Sequence, residues 1–238
     1  MFWIIVPFSR PQQSQHIQKC WKSQSIKSNL IVCANGCEYH GKATHVVNLP
    51  YKDHVDALNA GLTYILAHAN AEDWICRMDD DDEYSDNYLE IVLKLPENVE
   101  WSGYSSVLTK TDRGLWRIEN DPNSPSALGG TIAAKAKSFA YFDQPPQNMR
   151  YIDDVLWSKK MAHLPFKHRG PEGFIWNRIG TDHIYPVGAQ ELTWMKEGRL
   201  YDAKTGKPIE PEDPFDSQMV KDMLKGVEHG KKDENIRI

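Results

Sequence analysis

The sequence predicts an α/β fold, a mostly parallel sheet flanked by helices. Short apolar runs of strand length alternate with segments whose apolar residues recur at helical spacing through the first hundred residues. Several of these runs are apolar throughout, as strands buried on both faces require. Beyond residue 98 the pattern changes to a hairpin and shorter, mixed elements.

Phe2–Phe8 reads as the first strand. Ser9-Arg10-Pro11 then offers a helix start with Pro near the first turn, followed by Ile17, Cys20 and Trp21 at helical spacing. Leu30–Ala34, closed by Asn35-Gly36, and His45–Leu49 read as strands two and three. Val55, Leu58, Leu62, Ile65, Leu66 and Ala69 form an apolar stripe at three- and four-residue steps, which predicts a helix. Trp74–Met78 is the fourth strand, and Ser85 is expected to cap a helix carrying Tyr88, Leu89, Val92 and Leu93. Val99–Thr111 and Leu115–Ile118 read as a hairpin around Asp112-Arg113-Gly114. Ala133–Phe142 and Tyr151–Met161 read as short helices, and residues 219–227 as a last amphipathic one before a charged tail.

With 238 residues and 40% hydrophobic content, the chain can bury a large core, and a net charge of −5 gives no general basic footprint for nucleic acid. The opening Met1–Phe8 run has no charged flank and is cut by Pro7, and no segment reaches membrane-spanning length. The expectation is a cytoplasmic protein without stable membrane insertion. Cys33 and Cys37 lack a second half for a zinc site.

The chemistry concentrates in Asp79-Asp80-Asp81-Asp82-Glu83, directly after the fourth strand. Neighbouring carboxylates repel, so such a run calls for a compensating cation. In extended chain Asp79 and Asp81 share one face and Asp80 and Asp82 the other, giving two hard oxygen donors suited to Mg²⁺ or Mn²⁺. A calcium loop fits poorly, because Tyr84 stands where the sharp turn needs Gly and a strand precedes it. A solvated acidic turn is the structural alternative. Asp153-Asp154 begins a helix, where N-terminal negative charge is favourable without any further role.

Taken in order, Ile4-Ile5-Val6-Pro7-Phe8, Ile31-Val32-Cys33-Ala34-Asn35, Leu58-Asn59-Ala60-Gly61, Met78-Asp79-Asp80-Asp81-Asp82, Gly129-Gly130 and Ile152-Asp153-Asp154-Val155-Leu156 resemble the motifs of family-2 glycosyltransferases of the GT-A fold. The resemblance spans about residues 2–185. It implies a GT-A-like domain with a nucleotide-sugar-binding half at 1–98, an acceptor-binding half at 99–190, and a C-terminal extension at 191–238 with a hairpin, helix and mobile tail.

It further implies a metal-dependent, inverting transfer from a nucleotide-diphosphate sugar, usually a UDP-sugar, with Mn²⁺ or Mg²⁺ as cofactor. Pro7, Phe8, Ser9 and Asn35 would line the base and ribose pocket. Asp79 and Asp80 would lie on the donor side, with capping the next helix as Asp80's structural alternative. Asp81 would ligate the metal, and His183, which follows Arg178 as a histidine follows an arginine in many family members, would complete the metal or diphosphate site. Asp154 would be the catalytic base with Asp153 beside it at the acceptor. The family pattern begins this pair with Glu, so Asp153 brings a shorter arm. A nucleotide- or sugar-binding protein without turnover, and a metal-dependent nucleotidyltransferase, use the same scaffold features; the second lacks a Gly-rich phosphate loop here. Acceptor classes that fit are a saccharide, a protein side chain or a hydroxylated nucleic-acid base. The last would draw on a basic face from Lys135, Lys137, Lys159, Lys160, Lys167, His168 and Arg169, which read more simply as scattered solvated positions. Of Trp101, Trp116, Trp157, Trp176 and Trp194, some are expected to pack in the core and one or two to line an acceptor cleft.

Overall fold

The computed structural model describes residues 1–50, 54–104, 106–111, 114–119, 125, 127, 129–144, 153–170, 172–178, 200–201 and 208–209. Strands β1 (Phe2–Phe8), β2 (Ser28–Asn35), β3 (His45–Leu49) and β4 (Trp74–Arg77) pair parallel within a seven-stranded sheet. A two-residue strand β5 (Glu83–Tyr84), then β6 (Trp101–Tyr104), β7 (Ser106–Thr111), β8 (Gly114–Glu119), β9 (Ala133–Lys135), β10 (Phe166–Arg169) and β11 (Phe174–Arg178) follow. The large sheet runs β10-β6-β9-β4-β1-β2-β3, and a smaller one runs β5-β11-β7-β8. Leu200–Tyr201 pairs antiparallel with Pro208–Ile209.

Period-two alternation divides β1 between two cores. Phe2, Ile4, Val6 and Phe8 pack with Ile17 and Cys20 of helix α1 (Ser14–Ser23) and with Tyr88, Leu89 and Val92 of helix α3 (Tyr88–Leu93). Trp3 and Ile5 face the other layer. There they join Val55, Leu58, Leu62 and Ile65 of helix α2 (His54–His68) and Trp157 and Met161 of helix α4 (Asp153–Met161). Gly61 of α2 lies so close to the Cys33 thiol of β2 that a Cβ there would collide with it, so glycine lets the helix settle onto the sheet. Asn59 clamps the chain on its far side, exchanging 2.9 Å hydrogen bonds with the backbone N–H and C=O of Phe142.

Two readings need correction. Residues 133–142 do not form a helix: Ala133–Lys135 are β9, antiparallel to both β4 and β6, followed by a turn. Small alanines fit the slot between two strands, and the backbone bonds gained there override their helical preference. Ser85 does not cap α3 through its side chain; its hydroxyl donates to Asn87 while its carbonyl accepts the Tyr88 N–H. Trp101 and Trp157 are the core members of the tryptophan set, fully buried and edge-to-face at 5.5 Å. Residues 219–227 lie outside the described residues.

The order β4-β1-β2-β3 contains a reversal: the chain adds β2 and β3 on one side of β1, then crosses to place β4 on the other. Connections diverge at such a point, which opens a crevice beyond the carboxyl ends of β1 and β4. Ser9-Arg10 leaves β1 there, and the aspartate run leaves β4 there.

Candidate functional site

The aspartates of the run differ sharply in accessibility. The Asp79 and Asp81 side chains keep 24% and 15% of their surface, whereas Asp80 is 3% exposed and Asp82 is buried. Strand β4 ends at Arg77, yet the alternation expected of extended chain persists in burial. Asp82 turns inward: one carboxylate oxygen accepts the Asn177 N–H of β11 at 2.9 Å. Its backbone carbonyl lies 2.7 Å from the His16 ring. Tyr84 secures the same turn, its hydroxyl accepting the Asp79 N–H at 2.8 Å and donating to the Gly130 carbonyl at 3.0 Å. Gly130 must be glycine here, because a Cβ would stand 2.6 Å from the Tyr84 hydroxyl and 2.8 Å from the Asp82 carboxylate. Gly130→Ala is expected to cost about 1–3 kcal/mol of stability by overpacking, read as a lower urea midpoint.

Two arginines neutralise the tip. Arg10 donates from Nη1 to Asp81 Oδ2 at 2.8 Å and from Nη2 to Asp80. The Ser9 N–H also points at Asp80, at 3.4 Å. Burial pushes the Asp80 carboxyl up to about 6 against the pull of Arg10, with Asp81 and Asp79 adding to the rise. Arg77, buried at the carboxyl end of the central strand β4, donates from Nε to Asp79 at 2.8 Å and from Nη1 to Asp153 at 2.7 Å. Its guanidinium also faces the Phe142 ring at 5.7 Å.

Arg77 thereby joins the two acid groups that the sequence keeps 74 positions apart, on the numbering of Asp79 and Asp153. Asp153, at the start of α4, accepts from Arg77 on one oxygen and lies 3.0 Å from His54 Nε2 on the other. Burial works to raise its pKa, but Arg77 and His54 outweigh that and hold it well below the usual carboxylate range. Asp154 lies in a different environment. Its oxygens accept the Gly129 N–H at 3.0 Å and the Val155 N–H at 2.8 Å. Burial, followed by the Asp153 charge beside it, pushes its carboxyl up to about 6. One acid of the pair is therefore a fixed anion and its neighbour a carboxylate of raised basicity.

The remaining candidates divide. Phe8 is fully buried and meets Tyr39 edge-to-face at 5.2 Å, while Pro7 and Ser9 stay partly open beside it. Asn35 is buried at the carboxyl end of β2. His183 lies outside the described residues. The expected basic face is broken up. Lys135 is buried against the Glu97 carbonyl, and Lys137 pairs with Glu72 and Glu100. Arg169 is interior, with Nε donating to Ser102 and its guanidinium 4.4 Å over the Tyr104 ring.

Sequence reasoning missed Arg77, Arg10 and His54 as site residues. Arg77 carried the only available signal, a charged residue inside an apolar strand. Among the described residues no three His, Cys, Asp or Glu side chains converge as a metal cage. The donor chemistry nevertheless suits a hard divalent ion, since Asp79 and Asp81 present carboxylate oxygens at an accessible strand end.

No family model matches the sequence, and no curated protein matches it closely enough to count. Solved structures do match in fold. S. aureus TarS 1-349 in complex with UDP-GlcNAc aligns with a TM-score of 0.52 at 14% identity, over 82% of this chain and 64% of that one. The mannosyltransferase PcManGT from Pyrobaculum calidifontis, in complex with GDP-Man and Mn²⁺, aligns with a TM-score of 0.50 at 13% identity, over 81% and 61%. The chain has a GT-A-like α/β fold, resembling that of these nucleotide-sugar glycosyltransferases. It spans less than two thirds of the length of either.

Proposed function

We propose that this protein is a glycosyltransferase that moves a sugar from a nucleotide-diphosphate sugar, a UDP-sugar in the first instance, to an acceptor hydroxyl with inversion at the anomeric carbon. The observation that carries this reading is the meeting of the strand-end acids and the α4 acids across Arg77, at the switch point of a GT-A-like sheet. Fold alone would not reach function; the link between the two acid groups through Arg77, with Asp154 more basic than the Asp153 beside it, supports it.

In this reading Pro7, Ser9 and Asn35 border the nucleoside end, and Asp79 holds the ribose or diphosphate. Asp80, buried on Arg10 and Ser9, sets the shape of the donor loop. Asp81, with Asp79 beside it, is the place for Mn²⁺ or Mg²⁺, which when bound supplies charge neutralisation for the departing diphosphate. Asp154 accepts the proton of the acceptor hydroxyl as its oxygen attacks the anomeric carbon. The bond to the diphosphate breaks in the same displacement, on the opposite face. A base with a pKa near 6 is ionised at neutral pH yet more basic than an ordinary carboxylate. Asp153 stays anionic, held by Arg77 and His54, and orients the start of α4. Among the described residues no helix is long and apolar enough to cross a membrane.

A thermal-shift series with UDP-GlcNAc, GDP-mannose and other nucleotide sugars, with and without Mn²⁺, tests the donor. A donor bound at a hundred times its Kd stabilises by about 2.7 kcal/mol. At least one nucleotide sugar should raise the melting point, and more so with Mn²⁺. A flat response across the panel counts against the assignment, and release of pyrophosphate rather than nucleoside diphosphate would move it to nucleotidyl transfer.

A further inference from the structure

Arg10 is anchored where β1 ends, with Pro11 fixing the first residue of the 3-10 turn that follows. Its guanidinium crosses the switch point to the aspartate run and engages Asp81 through Oδ2 and Asp80 through Oδ1. Asp81 Oδ2 belongs to one of the two carboxylates the crevice can reach, so an ion arriving there meets an oxygen already holding a cation. Two like charges at one carboxylate repel strongly in a partly desolvated site. The pairing is also incomplete: Arg10 Nε is buried with no acceptor among the described residues, so one N–H goes unsatisfied while the arm is folded onto the aspartates. The side chain keeps 15% of its surface exposed, and its stem has several rotatable bonds through which the guanidinium can swing.

We infer that Arg10 is the resident cation of the strand-end carboxylates, and that a divalent ion takes Asp81 only as the guanidinium leaves. The inference rests on the donor-site reading above. The released fork presents two parallel N–H groups, the geometry that suits a pair of diphosphate oxygens. Donor and metal would then arrive together, because the phosphate gives the displaced arginine a new partner. The nucleotide-free protein should in consequence bind Mn²⁺ weakly.

The test is Mn²⁺ binding to nucleotide-free protein, followed through the paramagnetic resonance signal of the free ion, for the natural chain, Arg10→Gln and Arg10→Lys. Removing the resident charge should tighten Mn²⁺ by at least about tenfold in Arg10→Gln. Arg10→Lys, which keeps a charge but loses the fork, should fall between. Circular dichroism confirms that each variant is folded, and the lysine variant keeps the comparison alive if glutamine perturbs the loop. Equal Mn²⁺ affinity in all three proteins, or no Mn²⁺ binding in any, overturns the inference. Its failure is separable from failure of the glycosyltransferase reading, which the nucleotide-sugar melting series on the natural chain decides without any substitution. A tightened Mn²⁺ site in Arg10→Gln with a flat donor panel would sustain Arg10's role and discard the donor.

Discussion

Replacing Arg77 with methionine is expected to remove about 3–5 kcal/mol of folding stability, the cost of leaving buried carboxylates without their cation. Methionine fills much of the same volume but returns none of the charge. Asp153 would keep His54 alone, and Asp79 would lose its only guanidinium among the described residues. The pH dependence has a definite sign. Arg77 and His54 depress the folded pKa of Asp153. That contribution is present above the unfolded carboxylate pKa and is lost as pH falls through the folded one. The gap between natural and Arg77→Met protein should therefore be widest at neutral pH and narrow in acid. Urea denaturation at several pH values measures it. Combining Arg77→Met with Asp153→Asn should recover part of the loss, since the pair is then removed together. A full loss in the double variant would mean that Arg77 acts through packing on Phe142 instead.

Asp154→Asn is the second large effect, and it moves stability and turnover in opposite directions. If Asp154 is the base, transfer should fall by about 10²–10⁴-fold while donor binding is kept. In the natural protein the acid limb of the rate should follow a group titrating at about 6. The folded pKa lies above the unfolded one, so the folded state holds the proton more tightly. Stability from this group is present below the ordinary carboxylate range and is lost as pH rises toward about 6. The asparagine variant carries no such penalty. Allowing for solvent screening and for one hydrogen bond lost at Gly129 or Val155, its gain over the natural chain should be negligible at pH 4 and grow to roughly 1–2 kcal/mol by pH 7. Near-normal turnover in the variant would place the base elsewhere.

Much of the fold was legible because local pattern and tertiary role agree in the first half. Buried parallel strands announce themselves as apolar runs, and the Val55–Ala69 stripe has one periodicity to satisfy. The same reasoning failed at Ala133–Lys135. Two alanines and a lysine carry no strand signal of their own, and only the gap between β4 and β6 makes them a strand. The acids were legible by clustering, since four adjacent carboxylates demand compensation. What compensates them was not. Arg10 reaches the run from a position 71 residues earlier, and Arg77 reaches Asp153 76 residues later. Such pairings depend on strand order, which residue spacing does not encode. Motifs that resemble a family were likewise split by the structure into holding and facing roles. Asn59 and Gly61 fasten α2 to its surroundings, Gly130 makes room for Asp82 and Tyr84, and Asp79 and Asp81 keep exposed oxygens.

The position of a donor's diphosphate decides between these roles. A crystal structure of the protein with a UDP-sugar and Mn²⁺ should place it beyond the ends of β1 and β4, touching Asp79 and Asp81, with the anomeric carbon turned toward Asp154 and Arg10 withdrawn from Asp81. A nucleotide lodged elsewhere on the protein, with Arg10 still closed on Asp80 and Asp81, would contradict it.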